Sequence, residues 1–428
     1  MGFDYLSEEH AEYIRDLVKQ AGMADPHRNI LGAFQHQYQL NPVVSRKEVQ
    51  QFEEEYHVEL PEEYIFFLTK VGNGGAGPDY GIYSLDKMKL YNNKNICREG
   101  VPAFIDKNLT KDAWDIMSVE VDDDENLMND MREGLLIIGK QNEANDNVLM
   151  CKGSEQGKIV YFNWAFEFEV FPHFTGMEFL KWYETYFREI IADHDVGAYG
   201  YYSLKSEEEL RNSYKPNLSL KEKKELMKGF YKFKRVEEET LNFFEQIKDK
   251  RLDDIRTELL FDFDFDRGLV LFEKLLAGKN TSAALECARL VPKGQKDKYY
   301  ERMLKLLYRE KQCDKHRIIY YLMGCSLLRA RDIINFAMDE RQDEEDRYIA
   351  LWAVKASNDK FDFIEELIQI MRGNSYKVAL GALDIVMLAG IKSQKLLDTY
   401  IWMQEKYKDD RIMRSALKTA IKIIKTVL

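Results

Sequence analysis

Residues 72–81 read Gly72-Asn73-Gly74-Gly75-Ala76-Gly77-Pro78-Asp79-Tyr80-Gly81, five glycines in ten positions. A backbone so poor in side chains adopts positive φ or lets another backbone approach closely. A phosphate cradle is excluded. A P-loop ends in Gly-Lys-Ser/Thr, which sets an ammonium on the phosphates, and no lysine follows here. A dinucleotide loop needs a strand before it and a helix after it; here a helical pattern precedes, and Pro78 stands where the next helix would begin. The stretch therefore reads as a shaped loop between a helix and a strand, either a tight corner alone or a corner that also binds. In the second reading Asn73, Gly74, Gly75, Asp79 and Tyr80 are exposed and rim a concave surface, offering bare backbone and an amphipathic tyrosine to a protein partner.

Outward from this loop the first half mixes helix and strand signals. Ser45-Arg-Lys-Glu48 is a capping box, followed by Val49, Phe52 and Tyr56 on one helical face. Leu60-Pro61 interrupts, and Tyr64, Phe67, Leu68 and Val71 form a second amphipathic helix at i, i+3, i+4, i+7. Beyond the glycines, Gly81–Leu85 predicts a short strand. Leu135–Ile138, Val148–Cys151 and Ile159–Phe162 predict antiparallel strands between loops rich in Gly, Asn and Asp. Thr175-Gly-Met-Glu178 predicts a further capping box. The helix behind it carries Phe179, Trp182, Tyr183, Tyr186, Phe187 and Ile190, an aromatic stripe that reads as core.

Several of these residues fall in a familiar order. Gly32-Ala33, His36, Tyr38, Leu40 and Pro42 lead into Phe52-Glu53, Leu60-Pro61, Tyr64, Phe67-Leu68 and the glycine stretch with Tyr80-Gly81. Gly134-Leu-Leu-Ile-Ile-Gly139, Gly157-Lys-Ile-Val-Tyr161 and Phe179-Leu-Lys-Trp-Tyr-Glu184 follow. Over about residues 30–190 the chain resembles the SUKH superfamily, which includes a yeast cell-wall regulator and many bacterial proteins. One departure is visible: after Ile138-Gly-Lys-Gln141, where many relatives carry a glycine-rich turn, this chain has Asn142-Glu-Ala-Asn-Asp146. The resemblance implies an α+β domain, its sheet flanked by helices. In bacteria it implies an immunity protein that binds and neutralises a toxin, often a nuclease. It implies nothing about residues 205–428.

Residues 193–217 lose periodicity and gain Gly, Ser, Tyr, Asn and Pro216, which predicts a linker between a domain at 1–192 and a second at 218–428. Beyond it, similar helical segments recur around Ala284, Ile319, Ala350, Ala379 and Ala416, at spacings of 35, 31, 29 and 37 residues. Small residues at such intervals let helices approach closely, and a unit of about 30–40 residues with two helices marks an α-solenoid. The fold class expected is thus a SUKH-like α+β domain, antiparallel or mixed in its sheet, followed by an all-α HEAT-like array; an ordinary helical bundle is the alternative for the second half.

The net charge of −12 conceals an asymmetry. Residues 1–200 hold 18 Lys+Arg against 36 Asp+Glu, and residues 201–428 hold 44 against 38. The acidic half repels nucleic acid and attracts a basic protein; the interleaved charges of the second half argue little for nucleic-acid binding. No run of 18 apolar residues and no basic-then-apolar leader is present, so neither a membrane span nor a secretory signal is expected. Five scattered cysteines without a CxxC pair suit a reducing cytoplasm.

Chemistry-bearing patterns are sparse. Seven histidines form no HxxxH or HExxH, and neither a Gly-x-Ser-x-Gly elbow nor a cysteine nucleophile signature occurs. His36 reads as a hydrogen-bonded structural histidine. Asp122, Asp124, Asn126, Asp130 and Glu133 occupy positions 1, 3, 5, 9 and 12 of a calcium loop, but Leu127 stands where the sharp turn needs glycine. The same stretch reads better as a solvated acidic loop running into a short helix; the functional alternative makes Asp122, Asp123, Asp124 and Glu125 a contact patch for a basic partner. Phe261-Asp-Phe-Asp-Phe-Asp266 alternates like a strand among helices and reads as an inter-helix junction. The functional expectation is a non-catalytic protein without cofactor or metal, acting in the cytoplasm, whose acidic domain binds a basic toxin. The alternative is a regulatory scaffold whose helical array recruits a second partner.

Overall fold

The computed structural model describes residues 4–120, 125–164, 170–278, 280–309, 314–390 and 393–425. The chain divides into two compact units, Met1–Thr240 and Leu241–Leu428.

The first unit is built on a four-stranded antiparallel meander in the order β1-β2-β3-β4, with β1 Leu135–Lys140, β2 Asn145–Met150, β3 Lys158–Asn163 and β4 His173–Glu178. Leu136 faces Leu149, Ile137 faces Val148, and Val148 faces Val160 across the ladders. The apolar residues of β1–β3 are buried on both faces, which is why they read as near-continuous apolar runs. The register slips between Ile137 and Gly139, a bulge that bends β1 near its end. β4 escapes the sequence reading because its residues are mostly half-buried or exposed and Gly176 interrupts it. The capping box expected at Thr175–Glu178 does not form. Thr175 lies within β4, its hydroxyl donating to Ile159 O at 2.7 Å, and Glu178 is the residue before the helix.

Around the sheet lie α1 (Glu8–Ala24), α2 (Arg46–Tyr56), α3 (Glu62–Phe66), α4 (Leu85–Tyr91), α5 (Lys111–Glu120), α6 (Glu125–Met131) and α7 (Phe179–Ile191). The Ser45–Glu48 capping box forms as expected, both reciprocal bonds present. α3 loosens into one π-helical turn at Phe67–Val71, immediately before the glycines. The strand expected at Gly81–Leu85 shrinks to a single bridge at Ile82, because Ser84 caps α4 and turns the chain into a helix. The aromatic stripe of α7 is core: Phe179, Trp182, Tyr183 and Phe187 are fully buried. α1 crosses α7, where the His10 ring meets Glu184 Oε1 at 2.6 Å.

Residues 193–217, expected as a linker, are packed into this first unit. Tyr161 OH donates to Tyr199 O at 3.0 Å, Asp195 N donates to Lys232 O at 2.7 Å, and a short helix with its own capping box occupies Glu207–Ser213. Of the tyrosines that broke the helical pattern there, Tyr199 is buried against the sheet, and Tyr201 packs its ring on Tyr161 while staying partly exposed.

The second unit is a succession of packed helix pairs. Six of its helices are α8 (Asp253–Phe263), α9 (Phe265–Ala277), α10 (Thr281–Cys287), α11 (Tyr300–Arg309), α12 (Lys315–Met323) and α13 (Ala330–Met338). Five more follow: α14 (Glu344–Ala356), α15 (Ile364–Met371), α16 (Tyr376–Ala389), α17 (Gln394–Lys406) and α18 (Arg411–Lys425). α13 pairs with α14, α15 with α16 and α17 with α18, while α12, α14 and α16 stack on one another in a layer. Ala284, Ile319, Ala350 and Ala379 lie on these helices at 0% exposure, and Ala416 is half-buried, so four of the five recurring positions mark a buried helix face. Asp264 caps α9 directly after α8 ends, which makes the Phe-Asp run the expected junction.

Candidate partner-binding site

The glycine loop is a corner first. Gly75 N donates to Ile82 O at 2.8 Å and Ile82 N returns to Gly75 O at 2.9 Å. Asn41 N donates to Gly74 O, Ala76 N to Gln39 O, and Tyr83 N to Ile138 O. Single-residue bridges thus run from Leu40 through Gly75 and Ile82 to Gly139, extending the sheet outward from β1. Gly75 sits at φ +107°, and a Cβ there would lie 2.4 Å from Gln39 O. Only glycine fits. From below, Tyr183 of α7 donates its hydroxyl to Ala76 O at 2.6 Å.

This geometry corrects one expectation. Asn73, Gly75, Asp79 and Tyr80 are half-buried and Gly74 is buried, so none of the five is an exposed rim residue. The backbone that was to be offered to a partner is spent inside the fold. Asn73 likewise turns inward, its Oδ1 accepting from Leu85 N at 2.9 Å and its O from Asn41 Nδ2.

Asp79 is the unusual member. It holds φ +53°, which non-glycine residues seldom adopt. Its carboxyl turns inward, and burial pushes its pKa up to about 6, opposed by an Asn147 amide at 3.4 Å. The fully buried Asn147 accepts from Gln141 Nε2 at 3.1 Å, and Gln141 accepts from Tyr201 OH at 3.2 Å. A polar chain therefore links the inner corner to Tyr201, 40% exposed. Next to it, His36 Nδ1 accepts from Tyr38 N at 3.1 Å, which leaves Nε2 carrying the proton of the neutral ring; that atom is buried without a partner. Burial lowers the His36 pKa to about 4. The ring is neutral at pH 7, as befits a structural histidine. Asp25 completes the segment by accepting from Tyr38 OH, Asn29 N and Ile30 N.

What this corner presents outward was missed in the sequence. Gly32 lies so close to Asp79 that a Cβ would meet the Asp79 carbonyl. The segment around it therefore lies against residues 79–80, and it carries Leu31, 49% exposed, and Phe34, 73% exposed. An aromatic side chain held in water by a rigid corner is the sort of group enriched at protein interfaces. Leu31 and Phe34 flank Gly32-Ala33 in the sequence, and no periodicity there marks either apolar residue as exposed.

Asp122, Asp123 and Asp124 lie outside the described residues. Glu125 opens α6. The calcium-loop spacing meets a specific obstacle farther on. Glu133, 1% exposed, accepts from Arg98 N and Nε and from Lys152 Nζ at 2.7–2.8 Å, and Asp130 pairs with Arg98 at 2.7 Å. Two of the five proposed oxygen donors are already neutralised by side-chain cations. Among the described residues no group of His, Cys, Asp and Glu is arranged to hold a metal ion. Burial raises the Cys97 thiol to about 11 and those of Cys287 and Cys325 to about 12, the wrong direction for a nucleophile. In the β1–β2 turn, Asn142 Oδ1 accepts from Ala144 N and Asn145 N, both at 2.9 Å, so the segment closes through an Asx turn without glycine.

Residues 43–182 match the model of the SMI1 / KNR4 family (SUKH-1). The matched segment contains α2, the glycine corner and all four strands, and ends within α7; the whole second unit lies outside it. No curated protein and no solved structure matches the chain. No helix among the described residues is long and apolar enough to cross a membrane.

Proposed function

We propose that the protein is a non-catalytic immunity protein that acts in the cytoplasm and captures a basic toxin through its first unit. The observation that carries this reading is the SUKH-1 match over residues 43–182, a family with immunity proteins among its members. Two features support it. The first 200 residues hold twice as many acidic as basic side chains, a field that speeds encounter with a cationic protein. The glycine corner displays Leu31 and Phe34 as apolar anchors beside the half-buried Tyr80.

In this mechanism the acidic tract Asp122–Glu125 steers the toxin. The corner residues Asn73, Gly74, Gly75, Asp79 and Tyr80 hold the Leu31–Phe34 segment rigid, so little ordering entropy is lost on docking. Neutralisation is stoichiometric and needs no cofactor. The second reading is a regulatory scaffold, favoured by the long helical array that the family match leaves uncovered. Co-expression with a candidate toxin encoded beside it decides between the two. Restored growth supports immunity; unrelieved toxicity, with no complex recovered, moves the scaffold reading ahead.

A further inference from the structure

The second unit contains a groove of about 1290 Å³, formed where α8, α9 and the chain before α8 meet. That exceeds the ~300–1,000 Å³ of ordinary small-molecule pockets and suits a stretch of polymer. Its lining is two-toned. Ile247 and Leu275 are buried, Leu271 is half-buried, and Val270 is 68% exposed in an otherwise polar surround. Around them stand Lys248, Lys250, Arg251, Arg256, Arg267 and Lys274, against only Glu245 and Asp253.

The cations divide by their partners. Arg251 is held by Asp249, Arg267 by Asp264 and Glu245, and Arg256 by Asp253 and the Ile247 carbonyl. Lys248, Lys250 and Lys274 are exposed and meet no carboxylate among the described residues. Elsewhere in the array some cations pair across adjacent repeats, as Lys355 does with Asp384 and Arg289 with Glu258; what sets these three lysines apart is that they share one groove with an apolar floor. Three unpaired ammonium groups around an apolar floor are a charge pattern awaiting its complement.

We propose that this groove binds an acidic peptide segment of a partner protein, with aliphatic side chains seated on Val270, Leu271 and Leu275 and carboxylates reaching Lys248, Lys250 and Lys274. Charge complementarity names the sign of the occupant, and the apolar floor makes it a peptide. Among the described residues no aromatic side chain lines the groove, so the stacking platform by which proteins hold single-stranded nucleic acid is not found there. The inference is independent of whether the first unit neutralises a toxin.

Fluorescence anisotropy on the full-length protein tests it, with a labelled peptide of three Glu-Leu-Asp-Glu repeats as probe. Saturable binding that weakens with salt is expected. Charge reversal by K248E, K250E and K274E together should weaken it roughly tenfold or more. V270D alone should also weaken it, and replacing each Leu of the probe by Ser should do the same. Circular dichroism confirms that these surface variants remain folded. The proposal is overturned if the wild-type protein does not bind the probe at low salt. It is equally overturned if the triple variant binds as well as wild type, or if an oligouridylate displaces the peptide and binds more tightly.

Discussion

At the residue scale Asp79 offers the cleanest test of how the corner is built. Its carboxyl is buried beside a single amide, so folding favours the protonated acid and raises its pKa from 3.8 to about 6. The folded state therefore binds more protons than the unfolded state between these values, and the group's contribution to stability falls as pH rises from about 4 to about 6. Asp79→Asn removes the charge, retains the polar atoms and tolerates the positive φ. It should stabilise the protein by about 1–3 kcal/mol at pH 7, and by almost nothing near pH 3.5, read as the difference in urea midpoints from wild type. Gly75→Ala should do the reverse. Its methyl would strike Gln39 O at an unfavourable φ, costing about 2–4 kcal/mol by the same measurement. Equal midpoints for either variant and wild type at pH 7 would refute the packing described for that residue.

At the scale of elements, strands buried on both faces announced themselves as apolar runs, and β1, β2 and β3 fall where those runs lie. β4 and α4 did not. β4 is partly solvated and broken by Gly176, and α4 begins at a serine cap where the apolar Ile82-Tyr83 pair suggested continued strand. The candidate site was legible as a location and misread as a surface. Five glycines said that backbones meet there, but not that the loop's own hydrogen bonds would be closed by residues 39–41 and 138–140, far away in sequence. Exposure is a tertiary property, and Phe34 carries no local mark of it. In the second unit the small residues marked the stacked layer. Ala350 is fully buried on α14, which stacks against both α12 and α16. Ala350→Leu should overpack that layer, costing about 1–3 kcal/mol. Hydrogen exchange should then rise across residues 315–389 and stay unchanged in the sheet at 135–163; a uniform rise would mean that the two units do not unfold separately.

At the scale of the whole molecule, the proposed function assigns partner capture to the first unit and leaves the second a separate role. The first combines a hydrogen-bonded glycine corner, an exposed aromatic at Phe34 and a strong acidic excess. Replacing Asp122, Asp123, Asp124 and Glu125 by their amides should slow association with a basic partner roughly severalfold at low salt, while the dissociation rate holds, as expected for charges that steer rather than dock. Loss of the effect at high salt would accompany it; an unchanged association rate at low salt would remove the tract from the mechanism. The proposed function turns on capture by the corner of the first unit. It is tested most directly by titration calorimetry of the candidate toxin into the full-length protein and into its Phe34→Asp variant. Wild type should bind one toxin per chain, and a variant that remains folded should lose about 2 kcal/mol or more of binding. No heat with wild-type protein, or equal affinity for the variant, would contradict it.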